Sequence, residues 1–163
     1  MVDEEIFRKG MSHFVTGVTV VTTNDGDDGL AGFTANAFTS LSVSPPQILI
    51  CLSLGLRSYP ILRESGRFGV HVLAEDQADV ARIFARRGAD KGNVVGWSLN
   101  ERAVPVLGHY LAFIDCDLVR EYDGSDHVIA IGLVRDLDLR AEDMGPLLYY
   151  RGQIGGLDIK PGS

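Results

Sequence analysis

Phe33-Thr-Ala-Asn-Ala-Phe-Thr-Ser-Leu-Ser-Val-Ser44, closed by Pro45-Pro46, is the stretch that organises this chain. It sets three hydroxyls (Thr39, Ser40, Ser42), one amide (Asn36) and several small residues between two hydrophobic strand candidates. Such a segment is too polar for an ordinary core strand and too regular for a linker. Small residues let a ligand approach the backbone, and hydroxyls with free N–H groups can hold a phosphate. The plainer reading is a strand ending in a Ser/Thr turn before the two prolines, since those residues dominate turns.

Outward from that stretch, residues 47–53 (QILICLS) form a continuous apolar run, expected as a strand buried on both faces. On the other side, residues 30–37 read as a strand that follows a hairpin turn at 24–29, where two glycines can take positive φ. Before it, the β-branched run 15–23 (VTGVTVVTT) predicts a further strand. Residues 3–14 predict a short helix: Phe7, Met11 and Phe14 recur at i, i+4, i+7, and Asp3, Glu4 and Glu5 suit its positive end.

Downstream, 58–66 carries helix punctuation, with Ser58 as N-cap, Pro60 in the first turn and Gly66 as the left-handed C-terminal residue. Residues 68–73 alternate like a strand. Residues 76–87 predict a helix with Val80, Ile83 and Phe84 on one stripe and Arg86-Arg87 at its negative end. The glycine-rich 88–100, with the only tryptophan, reads as a long functional or gating loop. Two long strands, 107–122 and 128–139, flank the turn Asp123-Gly-Ser-Asp126, and 147–150 is a last short strand before a tail draped over the surface. Six or more strands with two or three short helices predict a mainly β, antiparallel barrel with helical caps, as one domain over 1–163.

Composition narrows the function. A formal charge of −7 argues against nucleic acid or an anionic membrane as partner, while leaving room for a small anionic cofactor. No apolar run reaches the length of a membrane helix, and the acidic start MVDEEIF is unlike a signal peptide, so a cytoplasmic protein is expected. Cys51 and Cys116 stand alone in hydrophobic runs, as buried reduced thiols do. The four histidines show no metal-ligand spacing, so no metal is expected, and His13, His71 and His109 read as structural.

In that order of pieces the chain resembles the short-chain flavin reductases, whose fold is the FMN-binding split barrel. The resemblance rests on 7–23, 32–53, 57–85, 124–134 and 146–152, nearly the whole chain in the family's order. It implies an NAD(P)H:flavin oxidoreductase that forms homodimers, binds FMN or FAD, and passes reduced flavin to a separate flavin-dependent monooxygenase. By similarity, Thr34, Ala35, Asn36 and Ala37 line the isoalloxazine through backbone contacts and the Asn36 amide, and Thr39 and Ser40 hold the ribityl chain or phosphate. Cys51, Leu52 and Ser53 pass beneath the ring, while Arg57 and the helix start at Ser58 meet the phosphate. The turn ending in Asp126-His127 matches the family's Gly-Asp-His signature with a serine inserted. It implies that His127 lies by the nicotinamide, with Asp126 orienting its ring. Tyr149 and Arg151 are implied to face the flavin or the pyridine nucleotide, where an arginine fork suits a phosphate. Phe84 reads as core, with a flavin contact across a dimer as the lesser alternative. The competing functions are a flavin carrier or redox sensor without turnover, and a tight-flavin reductase of another acceptor such as a ferric chelate or corrinoid.

Overall fold

A computed structural model of the chain describes residues 1–26, 29–88, 91–140 and 143–157. Helix α1 (Glu4–Met11) begins at Asp3, whose Oδ1 accepts the backbone N–H groups of Glu5 and Ile6. It buries none of its residues. The β-branched run that follows is broken in two, β1 (Thr16–Gly17) and β2 (Thr19–Asn24). Val18 lies between them, its N–H donating to the Leu147 carbonyl while its own carbonyl accepts from Leu73. The hairpin to β3 (Leu30–Ala35) falls partly outside the described residues.

The first departure from the sequence expectation is in the organising stretch. Phe38–Val43 is itself a strand, β4, at the edge of the sheet beside β5 (Pro46–Ser53). An edge strand needs only one partner and one packed side, which is why a polar segment can serve. A second correction concerns β5. It alternates, sending Ile48, Ile50 and Leu52 into the core while Gln47, Leu49, Cys51 and Ser53 stay half-buried on the outer side.

Next come α2 (Ser58–Ser65), β6 (Arg67–Val72) and α3 (Ala78–Ala85). Ser58 is not the cap expected of it. The N-cap is Arg57, with no side-chain bond, and Ser58 is the buried first helical residue. At the other end Gly66 is left-handed, φ 64°, as its place after the last turn requires. The 88–100 segment, outside its two undescribed residues, is not all loop: β7 (Trp97–Leu99) pairs with β8 (Pro105–Leu107). Two 13-residue strands, β9 (Ala112–Gly124) and β10 (His127–Leu139), then form the longest ladder. The chain closes on β11 (Leu148–Tyr150) and β12 (Gln153–Gly155), so the described part of the tail pairs back instead of draping loosely.

The principal sheet has the order β3-β2-β6-β9-β10-β5-β4 and is antiparallel throughout. Phe33 and Ala35 of β3 share one buried cluster with Ile48, Ile50 and Leu52 of β5, although four strands separate them. The sheet therefore curls around that core, with Leu62 of α2 plugging it. A second cluster on the other face joins Val18, Val20 and Leu73 to Ala81 and Phe84 of α3. Close approach there is allowed by Gly32: a Cβ on it would meet the Val21 carbonyl oxygen at 2.4 Å and the Phe84 ring at 3.0 Å.

Buried polar groups on the principal sheet are paired in part, Asp115 Oδ1 being without a hydrogen-bond partner among the described residues. Arg102 pairs with Asp115 at 3.1 Å and with Asp117, and Asn100 donates to Asp115 at 2.8 Å. His71 is fully buried; the Leu107 N–H donates to its Nε2 at 3.1 Å, and its Nδ1 donates to the Val20 carbonyl at 3.2 Å. Both thiols are free, Cys116 buried and Cys51 half-buried, and burial pushes the Cys116 thiol up to about 12. Among the described residues no helix is long and apolar enough to cross a membrane, and no group of His, Cys, Asp and Glu is placed to hold a metal.

Candidate active site

A cavity of about 910 Å³ opens between the outer side of β4–β5, the 36–37 turn, and helix α1. Its wall includes Asn36, Ala37, Thr39, Cys51 and Tyr149, five of the residues expected from sequence. They reach it by the pleat. In β5 the core side takes Ile48, Ile50 and Leu52, so Leu49 and Cys51 are left facing the cavity. Thr39 stands opposite Leu49 in the ladder and shares its face. Tyr149 arrives through β11, which is registered with Thr16 of β1.

Three expected residues have their side chains engaged elsewhere. The Thr34 hydroxyl donates to the Ala81 carbonyl at 2.6 Å, tying β3 to α3. Ala35 and Leu52 belong to the buried core. Ser40 is exposed and does not line the cavity. Arg151 sits in the β11–β12 turn at φ 49°, its N–H donating to the Ser12 carbonyl. Arg57 and Ser58 line a different, smaller cavity of about 200 Å³, together with Phe84.

His127 opens β10 directly opposite Ser53. Paired residues share a face, and Ser53 lies two positions from Cys51, so the imidazole stands on the cavity side of the sheet, diagonal to Cys51 at roughly 7–8 Å. Its Nδ1 donates to Asp126 Oδ1 at 2.8 Å, leaving Nε2 outward. The hydrogen bond from His127, with a further contribution from Arg8, holds the Asp126 carboxyl below the usual carboxylate range. The Ser53 hydroxyl accepts from the Gly55 N–H at 3.3 Å, and the Leu54 N–H donates to the Asp126 carbonyl, so the His127 turn is laced to the end of β5.

The cavity also takes residues that local sequence does not single out: Phe7, Arg8 and Met11 of α1, and Thr16 of β1. The first and third were visible only as an apolar helix stripe. Thr16 Oγ1 is buried without a hydrogen-bond partner among the described residues. A large, mainly apolar cleft with a few polar groups is the form cofactor sites take. An isoalloxazine, apolar over its faces and polar along one edge, fits the pairing of Leu49, Cys51 and Phe7 with Asn36, Thr39 and Thr16.

A curled antiparallel sheet with such a cleft on its outer side is the architecture of a split barrel. The chain belongs to the flavin reductase like domain family, whose model matches residues 11–158. It is 38% identical over 158 residues to a flavin-dependent monooxygenase reductase subunit, HsaB, from Mycobacterium tuberculosis, covering 96% of this chain and 84% of that protein. A flavin reductase from Pseudomonas putida is 36% identical over 155 residues, covering 95% of this chain and 91% of its own length. Among solved structures, the Streptomyces globisporus NADH:FAD oxidoreductase SgcE6 in complex with NAD and FAD fragments superposes with a TM-score of 0.88 at 33% identity, covering 96% of each chain.

Proposed function

We propose that this chain uses the 910 Å³ cavity to bind FMN or FAD and reduces it with hydride from NADH or NADPH, supplying reduced flavin to a separate monooxygenase. It is an NAD(P)H-dependent flavin reductase. The observation that carries the site is the convergence of Asn36, Ala37, Thr39, Cys51 and Tyr149 on one cavity, with His127 on the same sheet face. The kinship with proteins named as monooxygenase reductase subunits supports the partner.

When bound, the flavin supplies the two-electron acceptor, so the protein has to bind, orient and exclude water. Leu49, Cys51 and Phe7 cover the apolar ring. Asn36 and Thr39 offer hydrogen bonds to its polar edge, and Thr16 offers another if its hydroxyl turns toward the cavity. His127, steadied by Asp126, would offer Nε2 to a nicotinamide bound on the same face of the sheet. Tyr149 closes the side formed by the C-terminal strands, and the β11–β12 turn that carries Arg151 is tied to Ser12 beside it.

The active form is a homodimer. Helix α1 leaves Ile6, Phe7 and Met11 exposed, Phe14 just beyond it is exposed too, and so are Leu41 and Val43 of the edge strand. Apolar surface of that extent marks an association face, and a two-fold dimer is the commonest way to cover it. The test of function is NADH and NADPH oxidation by the purified protein with and without added FMN or FAD. Turnover that depends on flavin supports the reading; flavin binding without nucleotide oxidation would leave a carrier.

A further inference from the structure

Among the described residues that wall the large cavity, Arg8 alone carries a charge. The flavin ring needs none there: Leu49, Cys51 and Phe7 present apolar surface, and Asn36, Thr39 and Thr16 present neutral polar groups. In a chain of net charge −7, a lone guanidinium beside an apolar cleft stands out. An anion brought to it from the cavity side meets a low-dielectric wall, which strengthens the attraction beyond that on an open surface.

Helix geometry brings Arg8 to the wall. Phe7 and Met11 make one row along α1, Arg8 and the C-cap Ser12 make the next, and all four line the cavity. The Ser12 carbonyl accepts the Arg151 N–H, so the chain is tied to the β11–β12 turn about one helical turn beyond Arg8. Toward the N-terminus Arg8 has one carboxylate within salt-bridge distance among the described residues, Glu4 at 3.7 Å, and both side chains are exposed. That pair is looser than those of Arg102, Arg135 and Arg140, which lie at 3.1, 2.6 and 2.9 Å. An exposed i,i+4 pair contributes little and yields to a better anion.

Arg8 also belongs to the His127 side of the cavity. Its charge acts on the Asp126 carboxyl, which is itself committed to the His127 ring at 2.8 Å. The phosphate of the flavin is expected at Arg57 and the start of α2, and these line the second, smaller cavity. The anion of the reaction that is left without a cation is the diphosphate of the pyridine nucleotide, one ribose away from the ring that delivers hydride.

We infer that Arg8 binds the diphosphate of NADH or NADPH while the nicotinamide lies beside His127. The inference rests on the flavin reductase reading. The diphosphate carries the same charge before and after hydride transfer, so the contact lowers KM and leaves kcat alone. A guanidinium fork suits two phosphate oxygens at once, and lysine replaces it only in part.

The test compares the unaltered chain with Arg8→Ala and Arg8→Lys, using NADH, NADPH and N-benzyldihydronicotinamide, a hydride donor that has no phosphate. Arg8→Ala should raise KM for NADH and NADPH about ten-fold, the order lost with one charge-assisted contact, with kcat within about two-fold. For the benzyl donor kcat/KM should stay within about three-fold, and Arg8→Lys should recover part of the loss with NADH. Calorimetric titration of the flavin-loaded protein with NAD+ should show the same weakening of about ten-fold, while FMN and FAD dissociation constants stay within about three-fold. Equal losses with NADH and the benzyl donor overturn the inference, because Arg8 then acts on the fold or on the nicotinamide itself. So does a loss confined to NADPH, which assigns Arg8 to the ribose phosphate of that nucleotide. Weakened FMN and FAD binding with an unchanged KM for NADH assigns Arg8 to the flavin and overturns it as well, as do unaltered kinetics in Arg8→Ala. Oxidation of no donor by the unaltered chain with added flavin overturns the reductase reading itself.

Discussion

At the scale of single residues the proposed role of His127 is the one most open to a direct test. Its ring is held by one strand register and one carboxylate, and neither belongs to the wall of the large cavity. Removing the imidazole should therefore spare flavin binding and impair hydride delivery. For His127→Ala we expect a flavin dissociation constant within a few-fold of the unaltered protein, with kcat/KM for the pyridine nucleotide lowered roughly 10- to 100-fold. Collapse of flavin affinity with intact nucleotide kinetics would move His127 into the flavin pocket. A rise in KM alone would make it a uniform binding contact. Cys51 makes the contrasting case: a half-buried thiol whose position in β5, and not its reactivity, brings it to the cavity.

At the scale of elements, the site depends on how tightly β3 is clamped between β2 and α3. Gly32 is the point of closest approach, and its carbonyl also holds Lys91 at the second cavity. A methyl group there meets the Val21 backbone oxygen, which cannot yield without disturbing the β2–β3 ladder. Gly32→Ala should cost roughly 1–3 kcal/mol, the range for overpacking a tight site, measured by urea denaturation. Stability unchanged within error would mean that α3 and the ladder can slide together. The Thr34 hydroxyl on the Ala81 carbonyl acts at the same joint, fastening strand to helix and leaving the Thr34 backbone free for the expected contact.

For the molecule as a whole, association and pH response are the testable properties. Light scattering at micromolar concentration should give about twice the 17.7 kDa chain mass. Placing charges on the exposed stripe, Phe7→Glu with Met11→Glu, should yield monomers, whereas an unaltered chain that is already monomeric refutes the dimer. The pH response centres on His71. Because Nε2 accepts and Nδ1 donates, the buried ring is neutral, and burial lowers its pKa from 6.5 to about 4. Between those values the unfolded chain binds the proton and the folded chain does not, so stability rises with pH across that window. The contribution is complete above pH 6.5 and declines as pH falls toward 4, by about 3 kcal/mol at 1.36 kcal/mol per unit. Urea midpoints at pH 7.5 and 5 should differ in that sense; equal midpoints would show that the buried ring takes up its proton without unfolding.

Much of this was legible in one dimension because the signals are local. Period-two alternation, glycine at turns, and the hydroxyl-rich run before Pro45-Pro46 act within a few residues, so the strands around 19–24, 46–53 and 127–139 and the left-handed Gly66 could be read directly. The family-like run from Asn36 to Cys51 likewise marked one wall of the cavity. The other wall had no such mark. Phe7 and Met11 from the start of the chain meet Tyr149 from near its end, and pairing across that separation leaves no periodicity in either segment. For the same reason Phe38–Val43 did not read as a strand, since its partner β5 and its edge position, not its composition, make it one. Ser58 resembles a cap in sequence, yet the chain enters α2 one residue earlier and buries it. Arg86 and Arg87 resemble a helix-dipole complement, yet α3 stops before them and the fold brings them to Arg57, some thirty residues upstream. Local preference named the pieces; the curl of the sheet, which no residue encodes alone, determined which of them face the same cavity.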